Sequence, residues 1–274
     1  MSFLAAVVQL TSTTDLEASM KSAEALVREA KRRGAKLVVL PENTSFMGSD
    51  EEKRKVAEPI DGPTFQRLAA LARQEDLWLV GGTLPEKGPT PVHTRNTSAV
   101  FSPAGERVAA YRKIHLFDIA LGEGATFKES NSVAPGDHAV IAETPLAKIG
   151  LSICYDLRFP DLYRTLVRGG AELLTVPAAF TVPTGRDHWE VLLRARAIEN
   201  QCYVLAAGQF GQNTDKRTTY GRSMIIDPWG TVLALCPDRP SVAVAEIDLE
   251  HLRALRRKLP CLEHERPEAY HVVR

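Results

Sequence analysis

The chain repeats itself. One order of elements, strand, helix, strand, helix, strand and then two strands about a turn, is read twice along its 274 residues. In the first half FLAAVV (residues 3–8) reads as a buried strand, and Leu16, Met20, Ala23, Val27 and Ala30 follow at helical spacing up to Gly34. Residues 36–40 form the next strand, Phe65, Leu68, Ala69 and Ala72 mark a second helix, and residues 77–80 a third strand. Residues 97–101 and 107–111 then flank the turn Ser102-Pro103-Ala104-Gly105. The second half gives strand 148–153, helix 160–168, strand 172–176, helix 187–199, strand 202–207 and again two strands about a turn. Single residues align as well: Gly34-Ala35-Lys36-Leu37 to Pro41 answers Gly170-Ala171-Glu172-Leu173 to Pro177, and Ser102 to Gly105 answers Asp227 to Gly230.

Strands such as LVVL and LLTV are apolar on both faces, so each sheet needs helices on one side and an apolar cover on the other. The other half's sheet is the natural cover. The expected fold is α/β, a four-layer α-β-β-α sandwich with two sheets related by a pseudo-twofold axis, within a single domain at 1–259. A strand at 242–247 and a helix at 249–257 precede residues 260–274, where Pro260, Pro267 and Tyr270 suggest an extended arm lying on its own chain or on a partner's.

Composition bounds the function. The 34 lysines and arginines balance 34 aspartates and glutamates, which leaves no overall field for phosphate backbones or anionic lipid, and no local basic patch replaces it. No apolar run approaches the roughly 18 residues of a spanning helix, and residues 1–10 lack the pattern of an export signal. No nucleic-acid or membrane partner is expected, and the expected location is the cytoplasm. The cysteines, at 154, 202, 236 and 261, form no CxxC pair, which argues against a disulfide scaffold or zinc cage.

Three residues stand out. Cys154 ends the apolar strand IGLSI and precedes a helix beginning at Pro160, whose positive end lowers a thiol pKa. A nucleophile and a buried structural cysteine both fit that setting, whereas Cys202, Cys236 and Cys261 read as structural. Glu42 follows directly on a strand buried on both faces, where it is either paired, a general base with a raised pKa, or a solvated loop residue. Lys113 falls at a strand end in YRKIHLFD, as an oxyanion donor beside the other two or as a solvated lysine. All three lie at carboxyl ends of strands, where sheet-based active sites gather. Rival constellations are missing: there is no GxSxG, no HExxH and no ligand-spaced histidine pair.

These residues and their surroundings, LPENTSF, YRKIHLFD and GLSICYDLRFPDLYR, resemble the nitrilase superfamily of carbon-nitrogen hydrolases, in the family's order and over residues 3 to about 271. The resemblance implies the four-layer sandwich and a Glu-Lys-Cys catalytic set. Within the superfamily, ESNSVAPGD, TGRDHWEVLLRARAIENQCYV, YGRSMIIDPWGTV and RRKLP look most like the branch of amidases acting on deaminated glutathione, near the omega-amidases. One departure, at residues 119–124, falls where many relatives have a Pro-Gly turn.

Carried over residue by residue, Glu42 is the general base, Cys154 the nucleophile, and Lys113 the oxyanion donor together with the Tyr155 backbone N–H. Glu129 orients Lys113, with Glu123 as its rival. Arg158 either takes a substrate carboxylate or pairs with Asp161, and Phe46, Phe180 and Thr181 line the pocket. The implied reaction is thiolate attack on the primary amide of a small 2-oxo acid, loss of ammonia and hydrolysis of a thioester, without metal or organic cofactor. A thiolate and ammonium side by side are expected to hold each other charged at neutral pH. Other family substrates, 2-oxoglutaramate, N-carbamoyl amino acids and nitriles, remain open, as does an idle scaffold that binds a partner through its sheet edges and tail. The resemblance also implies a homodimer or higher oligomer.

Overall fold

The first apolar run forms β1 (Ser2–Gln9) and the helical pattern after it α1 (Leu16–Arg32), in a computed structural model that describes residues 2–120 and 126–272. Asp15 caps α1 by accepting the Ala18 N–H, and Met20, Ala23, Val27 and Ala30 form its buried face, as their spacing predicts. The first unit continues through β2 (Leu37–Val39), α2 (Asp50–Val56), α3 (Pro63–Gln74), β3 (Trp78–Val80), β4 (Leu84–Lys87), β5 (Thr94–Phe101) and β6 (Arg107–Arg112). A hairpin of β7 (Asp118–Ala120) and β8 (Thr126–Lys128) and then β9 (Ile141–Glu143) lead to the second unit. That unit runs β10 (Lys148–Leu151), α4 (Pro160–Arg168), β11 (Leu173–Ala178), α5 (Val182–Asn200) and β12 (Tyr203–Gly208). The hairpin β13 (Phe210–Thr214) and β14 (Arg217–Tyr220), then β15 (Met224–Ile226), β16 (Val232–Leu235), β17 (Ser241–Asp248) and α6 (Leu249–Lys258) complete the chain.

Among the described residues one sheet has the order β17-β1-β2-β3-β5-β4, with β6 also on β5, and the other β16-β15-β12-β11-β10-β9. The strands β1, β2 and β3 are mutually parallel, as are β10, β11 and β12. Alternate residues of β1 serve opposite faces. Ala5 and Val7 share one core with Leu37, Val39 and the second sheet, whereas Ala6 and Val8 pack with Met20 of α1 and Leu68 of α3 in another. The second sheet is covered on its far side by α4 and α5. The fold is therefore the expected four-layer sandwich, and each fully buried Val or Leu contributes about 1.5–3 kcal/mol to it.

The two units also exchange strands. The strand that ends the first unit, β9, pairs antiparallel with β10 of the second sheet, and the one that ends the second, β17, pairs antiparallel with β1 from Ser2↔Asp248 to Gln9↔Ser241. Neither sheet is complete without the other half of the chain. The repeat extends to backbone conformation: Gly34 (φ 88°) and Gly170 (φ 99°), just past α1 and α4, both sit in the left-handed region that ends a helix without steric cost to glycine alone.

Helix α2, strands β4 and β9 and the two hairpins escaped the sequence reading. Helix α2 buries no residue, so it has no apolar stripe, although its Ser49/Glu52 capping box stands in the sequence. Residues 260–272 are irregular except for a 3-10 turn at Pro267–Ala269; Glu265 pairs with Arg164 and Arg168 of α4 at 2.8 and 2.9 Å, which ties this segment to its own chain. Among the described residues no helix is long and apolar enough to cross a membrane.

A chain ending at Arg239 loses β17 and α6 and uncovers the whole length of β1. We expect it to be insoluble or to lack a cooperative thermal transition by circular dichroism; unfolding at the full-length temperature would show that the strand exchange is dispensable.

Candidate active site

The parallel strands deliver their next residues to one end of the sandwich. Glu42 stands three residues after β2, Lys113 directly after β6, Cys154 three residues after β10, and Phe180 and Thr181 shortly after β11. Glu129 opens a 3-10 turn directly after β8. All of them line one cavity of about 250 Å³, together with Tyr155 and Arg158. Glu42, Lys113 and Cys154 are 3%, 2% and 8% exposed, so their charges and protons are managed almost without water.

The ammonium of Lys113 is the hub. Its Nζ lies 3.2 Å from Glu42 Oε1 and 2.8 Å from Glu129 Oε2, and Glu129 Oε2 also accepts the Phe117 N–H at 2.7 Å. Glu42 Oε1 accepts a second bond from Asn96 Nδ2 at 2.8 Å, and its backbone carbonyl accepts from Gln209 Nε2 at 2.9 Å. The Cys154 sulfur lines the same cavity, where it feels both the Glu42 carboxylate and the Lys113 ammonium, and Ala179 lies in the lining with it.

Burial opposes charge on all three groups, and the partners decide the outcome. Burial would raise the pKa of Glu42, but the Lys113 ammonium and the Cys154 thiol outweigh it and hold the carboxyl below its usual range. For Lys113, burial is outweighed by Glu129 and Glu42, and its pKa is raised. For Cys154, burial and then the Glu42 carboxylate push the thiol well above its ordinary value; Lys113 pulls the other way without reversing this. The resting site is thus carboxylate, ammonium and thiol. This corrects one expectation, a thiolate paired with Lys113, and decides between the readings of Glu42, which is paired and not raised in pKa. Two carboxylates already share that one ammonium, and a thiolate would add a third negative charge beside it.

The helix-dipole argument also fails locally, since a 3-10 turn, Cys154–Arg158, separates the sulfur from the start of α4 at Pro160. Cys154 itself has φ 47°, a left-handed conformation that is strained for a residue with a side chain. The fold holds it there from both ends of the turn. Asp156, fully buried, accepts the Ile153 N–H at 2.8 Å, the Tyr111 hydroxyl at 2.7 Å and the His115 N–H at 3.1 Å. The carbonyl of Leu157 accepts Arg196 Nε and Nη2 of α5 at 3.1 and 2.8 Å. Tyr111 and His115 flank Lys113 in sequence, so one buried carboxylate aligns the lysine's strand end with the cysteine's turn.

Around this centre, Tyr155 sets its ring edge-on to Phe117 and Phe159 at centroid distances of 5.1 and 5.3 Å. The Arg158 guanidinium lies 5.9 Å from the Tyr155 ring and 5.6 Å from the Phe180 ring, with Nη1 3.3 Å from His188 Nδ1. It makes no ion pair with Asp161 or any other carboxylate among the described residues. Phe46 departs from expectation. It is buried, but against Gly48 and away from the cavity, because the chain turns back after Glu42 with Asn43 at φ 58°. Glu123, and with it most of the departure at 119–124, lies outside the described residues.

The sequence reading missed Asn96, Asp156 and the cations Lys53 and Arg217, which also line the cavity. Lys53 belongs to α2 and Arg217 to β14, two of the unforeseen elements, so no local pattern pointed them inward.

A thiol beside a carboxylate and an ammonium, lining one cavity, is equipped to attack a carbonyl. The comparisons with known proteins agree in kind. Residues 4–257 match the carbon-nitrogen hydrolase family. The chain is 47% identical to deaminated glutathione amidase of Bos taurus, over 97% of this chain and 83% of the relative, and 44% identical to deaminated glutathione amidase of a Synechocystis strain, over 96% and 97%. Among solved structures, Saccharomyces cerevisiae Nit3, a member of branch 10 of the nitrilase superfamily, superposes with a TM-score of 0.87 at 32% identity, over 98% of this chain and 97% of the other. The chain belongs to the carbon-nitrogen hydrolases of the nitrilase superfamily and is an amidase, an enzyme that hydrolyses carbon–nitrogen bonds in amides.

Proposed function

We propose that this amidase acts through Cys154, Glu42 and Lys113 on the amide of a 2-oxo dicarboxylic acid, with deaminated glutathione as its preferred substrate. The observation that carries the reading is the Cys154 thiol in one cavity with an ionised Glu42 and the Lys113 ammonium, a cavity whose further cations suit an anionic substrate. The substrate itself comes from the names of relatives sharing 44–47% of the sequence.

In this reading Glu42 takes the thiol proton as Sγ bonds to the amide carbon. The carbonyl oxygen gathers negative charge against Lys113 Nζ and the Tyr155 N–H. As the tetrahedral intermediate collapses, the carbon–nitrogen bond breaks and Glu42 returns the proton to the departing nitrogen. A thioester remains on Cys154. Glu42 then deprotonates a water, whose oxygen attacks the thioester carbon, and the proton passes back to the sulfur as the acid leaves. Glu129 keeps Lys113 in position, and Arg158 receives the carboxylate of the 2-oxo acid end with its planar fork.

One part of the sequence-based expectation needs correction on chemical grounds. Deaminated glutathione has no primary amide: its scissile bond joins the 2-oxo acid to the nitrogen of cysteinylglycine. The leaving group is then that amine, and ammonia is lost only from 2-oxoglutaramate and similar amides. Since the chemistry requires a reduced Cys154, the proposal places the enzyme in a reducing compartment such as the cytoplasm.

The proposal also holds that residues 1–259 act as one catalytic domain that pairs with a second copy. Val191 and Ile198, on one face of α5, and Trp229 beside them are 68%, 51% and 64% exposed. A second copy packed on this face, with the arm at 260–274 against it, covers them. Light scattering is expected to give a dimer or larger mass for the native chain and a monomer for Val191→Glu/Ile198→Glu; a native monomer at micromolar concentration refutes the pairing.

With deaminated glutathione the native enzyme is expected to release 2-oxoglutarate and cysteinylglycine without ammonia, and Cys154→Ala to be slower by at least about a thousandfold. Equal turnover by the variant removes Cys154 as nucleophile, and a strong preference for 2-oxoglutaramate moves the reading to an omega-amidase. The pH dependence follows from the two shifts. Glu42, with its pKa lowered, is ionised throughout the neutral range and loses its role only as pH falls through that lowered value. Cys154, with its pKa raised, adds no inflection near the ordinary thiol value of about 8.5. A plateau in kcat/KM from about pH 6 to 9 is expected. In Glu42→Gln the plateau gives way to a small activity rising with pH. A native rate climbing about tenfold per pH unit through 8 to 9 would contradict base catalysis by Glu42.

A further inference from the structure

The cavity that holds Cys154 adjoins a second one. The two share Phe127, Thr181 and Arg217 as common walls, and the second is larger, about 720 Å³ against about 250 Å³. Its lining is mostly apolar and combines hydroxyls such as Ser49 and Thr218 with the charged Glu52, Asp215, Lys216 and Arg217, from the start of α2 and from the β13–β14 hairpin. These are elements that carry no part of the Glu-Lys-Cys centre.

At the boundary stand two cations without an ion-paired carboxylate among the described residues. Arg217 lines both cavities, and Lys53 faces the first. Asp50, one turn from Lys53, attracts it electrostatically but does not pair with it, and Glu52 is engaged by the Ser49 N–H and hydroxyl at 2.8 and 2.7 Å. Burial and then the neighbouring Arg217 lower the pKa of Lys53, so the two cations destabilise each other as long as nothing anionic lies between them. Lys113 cannot serve such an anion, since Glu42 and Glu129 occupy it; Arg158 lies elsewhere, between the Tyr155 and Phe180 rings.

The order of the reaction adds a directional argument. The amine leaves while the acyl group is still bonded to Cys154, so its exit must not pass the acyl group. The wider cavity beyond Arg217 offers that separate path.

We propose that the second cavity is the leaving-group subsite, and that Arg217, with Lys53, binds a carboxylate carried by the departing amine. This rests on the proposed function and deepens it. Arg158 and the Arg217–Lys53 pair then form two anion positions, one on each side of Cys154, suited to a substrate with a carboxylate at each end. The site selects amides whose nitrogen bears a short anionic peptide over primary amides, which carry nothing into the second cavity.

The test uses three substrates with the same 2-oxo acyl part: deaminated glutathione, its C-terminal carboxamide, and 2-oxoglutaramate. The native enzyme is expected to show a kcat/KM at least about tenfold higher for the free acid than for its carboxamide, mostly through KM. In Arg217→Met this acid-to-carboxamide ratio is expected to fall to near one, and in Lys53→Met to an intermediate value. Because each ratio is taken within one protein, it does not depend on how much of a variant is folded. Native turnover of acid and carboxamide with equal kcat/KM, or an unchanged ratio in Arg217→Met, overturns the subsite while leaving the proposed function intact. Failure of the native enzyme on all three substrates overturns both.

Discussion

A buried ammonium governs this structure. Lys113 is 2% exposed, and an ion taken so far out of water costs several kcal/mol unless opposite charge and hydrogen bonds surround it. Glu42 and Glu129 provide that charge from two other segments, at 3.2 and 2.8 Å. The ends of β2, β6 and β8 are thereby held to one point, and the contact that satisfies the lysine also holds the Glu42 carboxyl below its usual range. The arrangement has a chemical consequence. With two carboxylates already facing one ammonium, the nearby sulfur keeps its proton, and Glu42 stands ionised in the same cavity. In the proposed mechanism nucleophile activation is then coupled to attack on the substrate, with no free thiolate at rest.

The architecture keeps this geometry stiff. Exchange of β9 and β17 joins the two sheets, and their inner faces share a core to which β1, β2, β11 and β12 all contribute. Strain at Cys154 persists because buried groups on both sides determine the turn: Asp156 reaches Tyr111 and His115 of the first unit, and Arg196 of α5 holds Leu157. The cluster of Glu42, Lys113 and Cys154 is thus built on strand ends and a braced turn, whereas Lys53 and Arg217, the further cations of the cavity, sit on the capped helix α2 and on the β13–β14 hairpin. Such a division lets peripheral segments change specificity without disturbing the reacting groups.

Particular residues show how far the sequence could be read. Glu42 was visible because a carboxylate directly after a strand buried on both faces demands a partner, and the repeat made the layer order visible because strands apolar on both sides need two covers. Pocket lining was less accessible. Phe180 and Phe46 both follow a strand end, yet only Phe180 reaches the cavity, since the turn at Asn43 carries Phe46 back into the protein. The protonation of the thiol was less accessible for the same kind of reason. A thiol near a helix start suggests a lowered pKa when considered alone, but burial and the Glu42 carboxylate raise it while Lys113 pulls the other way; for Glu42, whose setting allowed either pairing or a raised pKa, the Lys113 ammonium decides for the pair.

The sequence alone determined the doubled β-α-β plan, the helices and strands that carry an apolar stripe, and which acid, base and thiol end their strands, because these follow from periodicity and local chain chemistry. The tertiary structure decided which strand belongs to which sheet, the charge on each catalytic group, and the inward placement of Lys53 and Arg217. The physical reason is range: hydrophobic period acts within a few residues, whereas charge balance and strand pairing here join groups as far apart as Glu42 and Lys113, or Ser2 and Asp248, that meet only when the sandwich closes.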